Sequence, residues 1–141
     1  MGDNITSIGD GAFMACRKLR QVVLPERLRT MGKFAFAICE ELRDVVFDPD
    51  EEIEVIPERA FCYCKSLSVL SLPNDVTTIG KRAFWGCTEL TRINGFELTE
   101  IGDYAFAGTG VYNIAASLAD EPSIGFAVFA KNEFDYYRNG A

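Results

Sequence analysis

The sequence predicts an α/β repeat solenoid of about five to six coils, with short parallel strands on one face and short helical turns on the other. The first observation is a phrase, an aliphatic residue, usually glycine, then a small residue and phenylalanine, whose rings Phe13, Phe36, Phe61, Phe84, Phe106 and Phe129 lie 23, 25, 23, 22 and 23 residues apart. A fixed period in this range belongs to stacked coils, each of which buries its apolar side only against its neighbours. The second is that alignment on the phenylalanines brings other apolar residues into register. The third is a short segment of period-2 alternation in each copy, the mark of a strand.

The ladders follow in chain order. Three residues after each ring come Cys16, Cys39, Cys64 and Cys87, then Thr109 and Asn132. Next come Leu19, Leu42, Leu67 and Leu90, with Val111 shifted into that slot by a one-residue deletion at 108–110. Val22, Val45, Leu70, Ile93 and Ile114 form the next column, and Leu24, Phe47 and Leu72 the one after, where Gly95 and Ala116 are weak fillers. Ahead of the aliphatic–glycine pair stand Ile5, Leu28, Ile53, Val76 and Leu98, a column that Glu121 breaks. Strands are expected over 19–24, 42–47, 67–72, 90–94 and 111–115, because Leu-x-x-Val-x-Leu alternates and favours a pleated backbone. Pro25 and Pro73 stop the chain from extending further.

Residues 9–16 and their equivalents suit a single helical turn, with Asp10 or Asp103 capping its first amides. Pro57 occupies a slot that elsewhere holds glycine, so positive φ is not required there. Glycine in that slot serves a close turn or tight packing instead. The two extra residues of the longest spacing fall within 48–52 and are expected to bulge outward, their acids forming a solvated loop. One domain, 1–141, thus divides into repeats at about 5–27, 28–52, 53–75, 76–97 and 98–120, with a degenerate repeat or cap over 121–141.

Composition narrows the chemistry. The chain is 48% hydrophobic and 25% charged, with a net charge of −7. It lacks the basic face that nucleic acid or an anionic membrane requires. No apolar run is long enough to span a bilayer, and the first 25 residues carry no secretory pattern. Histidine is absent, which removes Ser-His-Asp and Cys-His catalysis and the commonest metal ligand. No cofactor is expected. Four of the five cysteines, the ladder of Cys16, Cys39, Cys64 and Cys87, read as small core residues, and Cys62 with Cys64 makes too sparse a zinc set. Glu97, Glu100 and Asp103 form the nearest carboxylate cluster for a hydrolase, a remote alternative without an acid–base partner.

Residues 64–73 and 79–87 resemble, nearly throughout, the BspA-like (Treponema pallidum-type) leucine-rich repeats, whose unit reads approximately Leu-x-x-Val-x-Leu-Pro, Ile-Gly, Ala-Phe-x-x-Cys. The likeness covers about 5–115 and extends weakly to 132. It implies a right-handed, curved leucine-rich-repeat superhelix that binds other proteins, found in bacterial surface and adhesin-like proteins and in many protist proteins. It brings no catalytic residue. Function is then expected on side chains that escape the core: Arg20, Val23, Arg43, Val46, Val69, Arg92 and Tyr112, a mixture of apolar and arginine contacts suited to a protein partner. The alternative role is a structural accessory subunit, or a fragment of a larger assembly or surface adhesin. A reading frame that begins at Met1 points to an intracellular adaptor, and an upstream signal with more repeats to the cell surface. The N-terminal coil has no polar cap ahead of Ile5, so a stacked neighbour is expected there.

Overall fold

The computed structural model describes residues 4–48, 51–95, 97–111, 118–126 and 128–129. Among these residues there are ten strands, β1 (Ser7–Ile8), β2 (Gln21–Val23), β3 (Thr30–Met31), β4 (Asp44–Val46), β5 (Val55–Ile56), β6 (Val69–Ser71), β7 (Thr78–Ile79), β8 (Arg92–Asn94), β9 (Leu98–Ile101) and β10 (Leu118–Ile124). All recorded pairings are parallel. Each coil runs from a short strand at the aliphatic–glycine pair, through the phenylalanine turn, to a second strand; coils 1 to 6 are named here by Phe13 to Phe129 in order. The expected strand column is present as β2, β4, β6 and β8. Strands thus occupy two faces of the solenoid rather than one, since β1, β3, β5, β7, β9 and β10 form a second column. The strand expected over 111–115 falls almost wholly outside the described residues.

The expected helical turns are not formed, and among the described residues there is no helix. The backbone hydrogen bonds explain why. A helix satisfies each amide within its own segment. Here the amides alternate: Ala12 and Met14 donate to Gly9 and Gly11 three residues back, whereas Gly11, Phe13 and Ala15 donate to Lys33, Ala35 and Ala37 in the next coil. Coils 2 to 5 repeat this arrangement. Turning alternate amides outward requires left-handed residues on both sides of each phenylalanine. Two residues before the ring stand Gly11, Phe34, Arg59, Arg82 and Tyr104, and two after it Ala15, Ile38, Tyr63, Gly86 and Gly108, all with φ between 55° and 75°. Non-glycine residues pay roughly 1–2 kcal/mol each for that conformation, offset by the bonds it permits between coils.

The core lies inside the coil. Phe36, Phe61, Phe84 and Phe106 are fully buried, as are Leu28, Ile53, Val76 and Leu98 of the column before them. The six rings form one continuous stack, with successive centroids 5.1, 5.5, 5.6, 5.3 and 5.8 Å apart and interplanar angles of at most 8°. Among the described residues the last ring of the stack is Phe129, which is 46% exposed.

Three local expectations need correction. Asp10 and Asp103 do not cap their own turns; their carboxylates accept the amides of Lys33 at 2.9 Å and Phe126 at 2.8 Å in the following coil. Residues 49 and 50 of the insertion lie outside the described residues, but Glu51 beside them does not face solvent. Glu51 is 1% exposed, its Oε1 accepting the Asp48 amide at 3.0 Å while its own amide donates to the Asp48 carbonyl, and burial raises its carboxyl above the ordinary value. Finally, Glu121 does not replace an aliphatic over Leu98. Leu118 pairs with Leu98, and Ser123 and Ile124 with Glu100 and Ile101, so a bulge between Leu118 and Ser123 absorbs the extra residues and returns an apolar side chain to the core.

Candidate functional site

The β2–β4–β6–β8 face carries the side chains expected to bind a partner, because period-2 alternation points only the central residue of each strand inward. Val22, Val45, Leu70 and Ile93 are buried, and the residues on either side are exposed. Val23 pairs with Val46, and Gln21 with Asp44; in the other half Val69 pairs with Arg92 and Ser71 with Asn94. Val69 therefore sits in the column of Gln21, Asp44 and Arg92, not in that of Val23 and Val46. The exposed apolar set is a diagonal rather than a stripe: Val23 at 59%, Val46 at 44% and Val69 at 45%.

Arg20 and Arg43 flank the strands on one side. Arg20 is held by Glu41 of the next coil at 3.1 Å, an exposed contact worth little in stability but enough to fix where the guanidinium lies. Arg92 is exposed on β8. Tyr112 lies outside the described residues.

A crevice crosses this face between β4 and β6, lined by Asp44, Val46, Phe47, Val69 and Ser71. It lies at the junction where the two-residue insertion falls. The strands of coils 2 and 3 are neighbours without a ladder pairing on either face, whereas β2–β4 and β6–β8 are paired. The turns at the same junction stay closed, with Phe36 donating to Ala60 at 2.8 Å and Ile38 to Cys62 at 2.7 Å. At this junction the strand side is thus unpaired while the phenylalanine side stays bonded. The diagonal valines, Val46 and Val69, form opposite walls of the crevice.

Sequence reasoning passed over a second set, on the turns, in which Tyr63 is exposed, Arg82 and Trp85 are half-buried and Tyr104 is buried. Tyr63 and Trp85 pack at 5.5 Å, and the Arg82 guanidinium lies 5.0 Å from the rings of both Trp85 and Tyr104. The signal was available: these bulky residues stand beside the phenylalanine in slots that hold alanine or glycine in other copies.

Of the expected cysteine ladder, Cys39, Cys64 and Cys87 line the interior together with Cys62, whereas Cys16 is exposed, because no coil covers it among the described residues. Cys39, Cys64 and Cys87 donate to the carbonyls of Phe13, Phe36 and Phe61 in the preceding coil at 3.2, 3.1 and 3.0 Å. Burial pushes the Cys39 thiol up to about 12 and the Cys62 thiol up to about 11. Cys64 is also raised, first by its hydrogen bond with Cys87 and then by burial. Thiols raised in this way stay protonated at neutral pH and are poor nucleophiles and ligands. A thiol-reactive dye at pH 8 is therefore expected to modify Cys16 rapidly in the native protein and Cys39, Cys62, Cys64 and Cys87 only after denaturation. Rapid labelling of any of these four would contradict this placement. Among the described residues no cluster of His, Cys, Asp and Glu is placed to hold a metal ion. Glu97 and Glu100 are exposed, and Asp103 serves its link between coils.

The parallel coils, the ring stack and the inward thiols define a leucine-rich-repeat type of solenoid. Residues 1–115 match the BspA type leucine rich repeat region in 6 copies, and the chain belongs to that family. A leucine rich cell surface protein from Faecalibacterium prausnitzii is 27% identical, with a TM-score of 0.70 over 97% of this chain and 33% of its own. A leucine-rich repeat protein from Eubacterium ventriosum is 21% identical, with a TM-score of 0.81 over 93% of this chain and 35% of its own. The Treponema pallidum leucine rich repeat protein is 23% identical, with a TM-score of 0.59 over 96% of this chain and 76% of its own. The chain thus spans about a third of the length of the first two. No curated protein sequence matches it.

Proposed function

We propose that this domain is a non-catalytic binding or scaffold module that holds a protein partner on the β2–β4–β6–β8 face, centred on the crevice between β4 and β6. The observation that carries the reading is the pair Val46 and Val69, exposed on opposite walls of that crevice and bordered by Asp44 and Ser71. Burying two valines that water now covers supplies roughly 1.5–3 kcal/mol each at most, and the polar border and nearby arginines set register. Membership of a repeat family supports a binding role, and the printed name of the F. prausnitzii relative supports a cell-surface setting. The protonated buried thiols and the structural use of Asp103 support a role without catalysis.

The test is the double variant Val46→Glu with Arg92→Ala, set beside Trp85→Ala on the turns. Both are expected to fold with an unchanged circular dichroism spectrum. The strand-face variant is expected to lose at least tenfold in affinity for the partner, and Trp85→Ala to keep it. Unchanged capture by a folded strand-face variant would assign binding to another surface.

A further inference from the structure

The open side of coil 1 is built as an interior surface. Ile5 is 37% exposed, while its counterparts Leu28, Ile53, Val76 and Leu98 are fully buried. Ala12 and Cys16 are exposed, whereas Ala35, Ala60, Ala83 and Ala105, and Cys39, Cys64 and Cys87, are fully buried. The residue types are those of the sealed rungs, but among the described residues nothing covers them.

Gly9 adds an independent observation. A Cβ placed on Gly80, Gly102 or Gly125 would meet the backbone nitrogen of Glu58, Lys81 or Asp103 in the preceding coil at 2.6 Å, and one on Gly32 would meet that of Asp10. Glycine in those coils is thus fixed by the approach of another backbone. Around Gly9, among the described residues, nothing lies within 4 Å of that position. The slot carries the same residue with no neighbour to require it.

The backbone sets the polarity of what fits. In coils 1 to 5 the outward amides of the turn donate to the following coil, so the carbonyls of Lys33, Ala35 and Ala37 accept from coil 1. The equivalent carbonyls of coil 1 belong to Asp10, Ala12 and Met14, at every second residue along the open edge. An occupant must bring amides at the same spacing. Two copies meeting face to face would set carbonyls against carbonyls, an unfavourable match.

We propose that the open face of coil 1 is a docking surface for one further coil of this same repeat, running in the same direction, with its amides toward Asp10, Ala12 and Met14 and its phenylalanine stacked on Phe13. A copy of residues 53–75 inserted between Asn4 and Ile5 tests it, because it restores the 23-residue spacing that Phe61 and Phe84 already have. The extended chain is expected to unfold in a single transition, with its midpoint raised by more than about 4 °C. Labelling of the Cys16 peptide, read by mass spectrometry, is expected to slow at least tenfold. Gly9→Ala is expected to leave the parent's midpoint unchanged or slightly raised and to lower that of the extended chain. An unchanged midpoint with unchanged Cys16 labelling, or Gly9→Ala without effect in both chains, would overturn the proposal. So would concentration-dependent dimerisation of the parent, abolished by Gly9→Arg, with no gain from the inserted coil; that result would make a second copy the occupant.

Discussion

Phe61→Ala is expected to lower stability by about 3–5 kcal/mol, the usual cost of a cavity where a buried phenylalanine stood. In a domain of this size that corresponds to a fall of roughly 10 °C or more in the unfolding midpoint. The ring is fully buried and stacked on both sides, 5.5 Å from Phe36 and 5.6 Å from Phe84. No side chain can collapse into the gap without breaking the register of the coils above and below. Coil 3 also adjoins the junction whose strand ladders are already interrupted, so the turns are its firmest link to coil 2. In a repeat protein, stability is largely a sum over such interfaces. Phe13→Ala and Phe129→Ala, at the two ends of the stack, are expected to lose less. Equal losses at Phe13, Phe61 and Phe129, measured by thermal and denaturant unfolding, would contradict a stack with a sealed middle.

Gly80→Ala is expected to cost about 1–3 kcal/mol, the usual price of overpacking. The added methyl would stand 2.6 Å from the Glu58 nitrogen and 2.7 Å from the Pro57 carbonyl carbon. Both obstacles are backbone, so neither can rotate away, and relief requires coils 3 and 4 to separate. The effect comes wholly from this approach, because Gly80 is not among the positive-φ glycines. Were conformational freedom the only issue, alanine would stabilise by reducing the entropy of the unfolded chain. Urea titration of Gly80→Ala distinguishes the two, and a neutral or stabilising result would refute the close approach.

Much of this was legible in the amino-acid order because a solenoid repeats its instructions. The spacing of Phe13 to Phe129 set the stack, and the cysteine column marked Cys39, Cys64 and Cys87, which bond the preceding phenylalanine's carbonyl, although Cys16 of the same column is exposed. Pro57 in a glycine slot ruled out positive φ as the reason for glycine there, and the structure supplies the reason in the backbone of the coil before. The turns were misread as helical because local spacing cannot tell an amide bonded within a segment from one bonded to the next coil. A trace existed in Gly11, Gly86 and Gly108, which fall in the two left-handed slots beside the ring, but Phe34, Ile38 and Tyr63 fill the same slots and hide the pattern. The second strand column escaped notice because two-residue strands such as Thr30–Met31 are too short for alternation to register. Leu118 was missed because a bulge, invisible in linear alignment, moves it into the place assigned to Glu121. On the candidate site, sequence identified the exposed valines but not the crevice, since it depends on which strands of neighbouring coils pair, and local spacing does not report that.

The most direct measurement is a nuclear Overhauser spectrum of the protein with its phenylalanine rings selectively labelled. Coils piled one over the next predict ring-to-ring contacts in unbroken chain order, from Phe13 to Phe36, Phe61, Phe84, Phe106 and Phe129, with centroids at 5.1 to 5.8 Å. Contacts that skip a coil, or rings that see only their own turn, would contradict the fold and with it the proposed binding face.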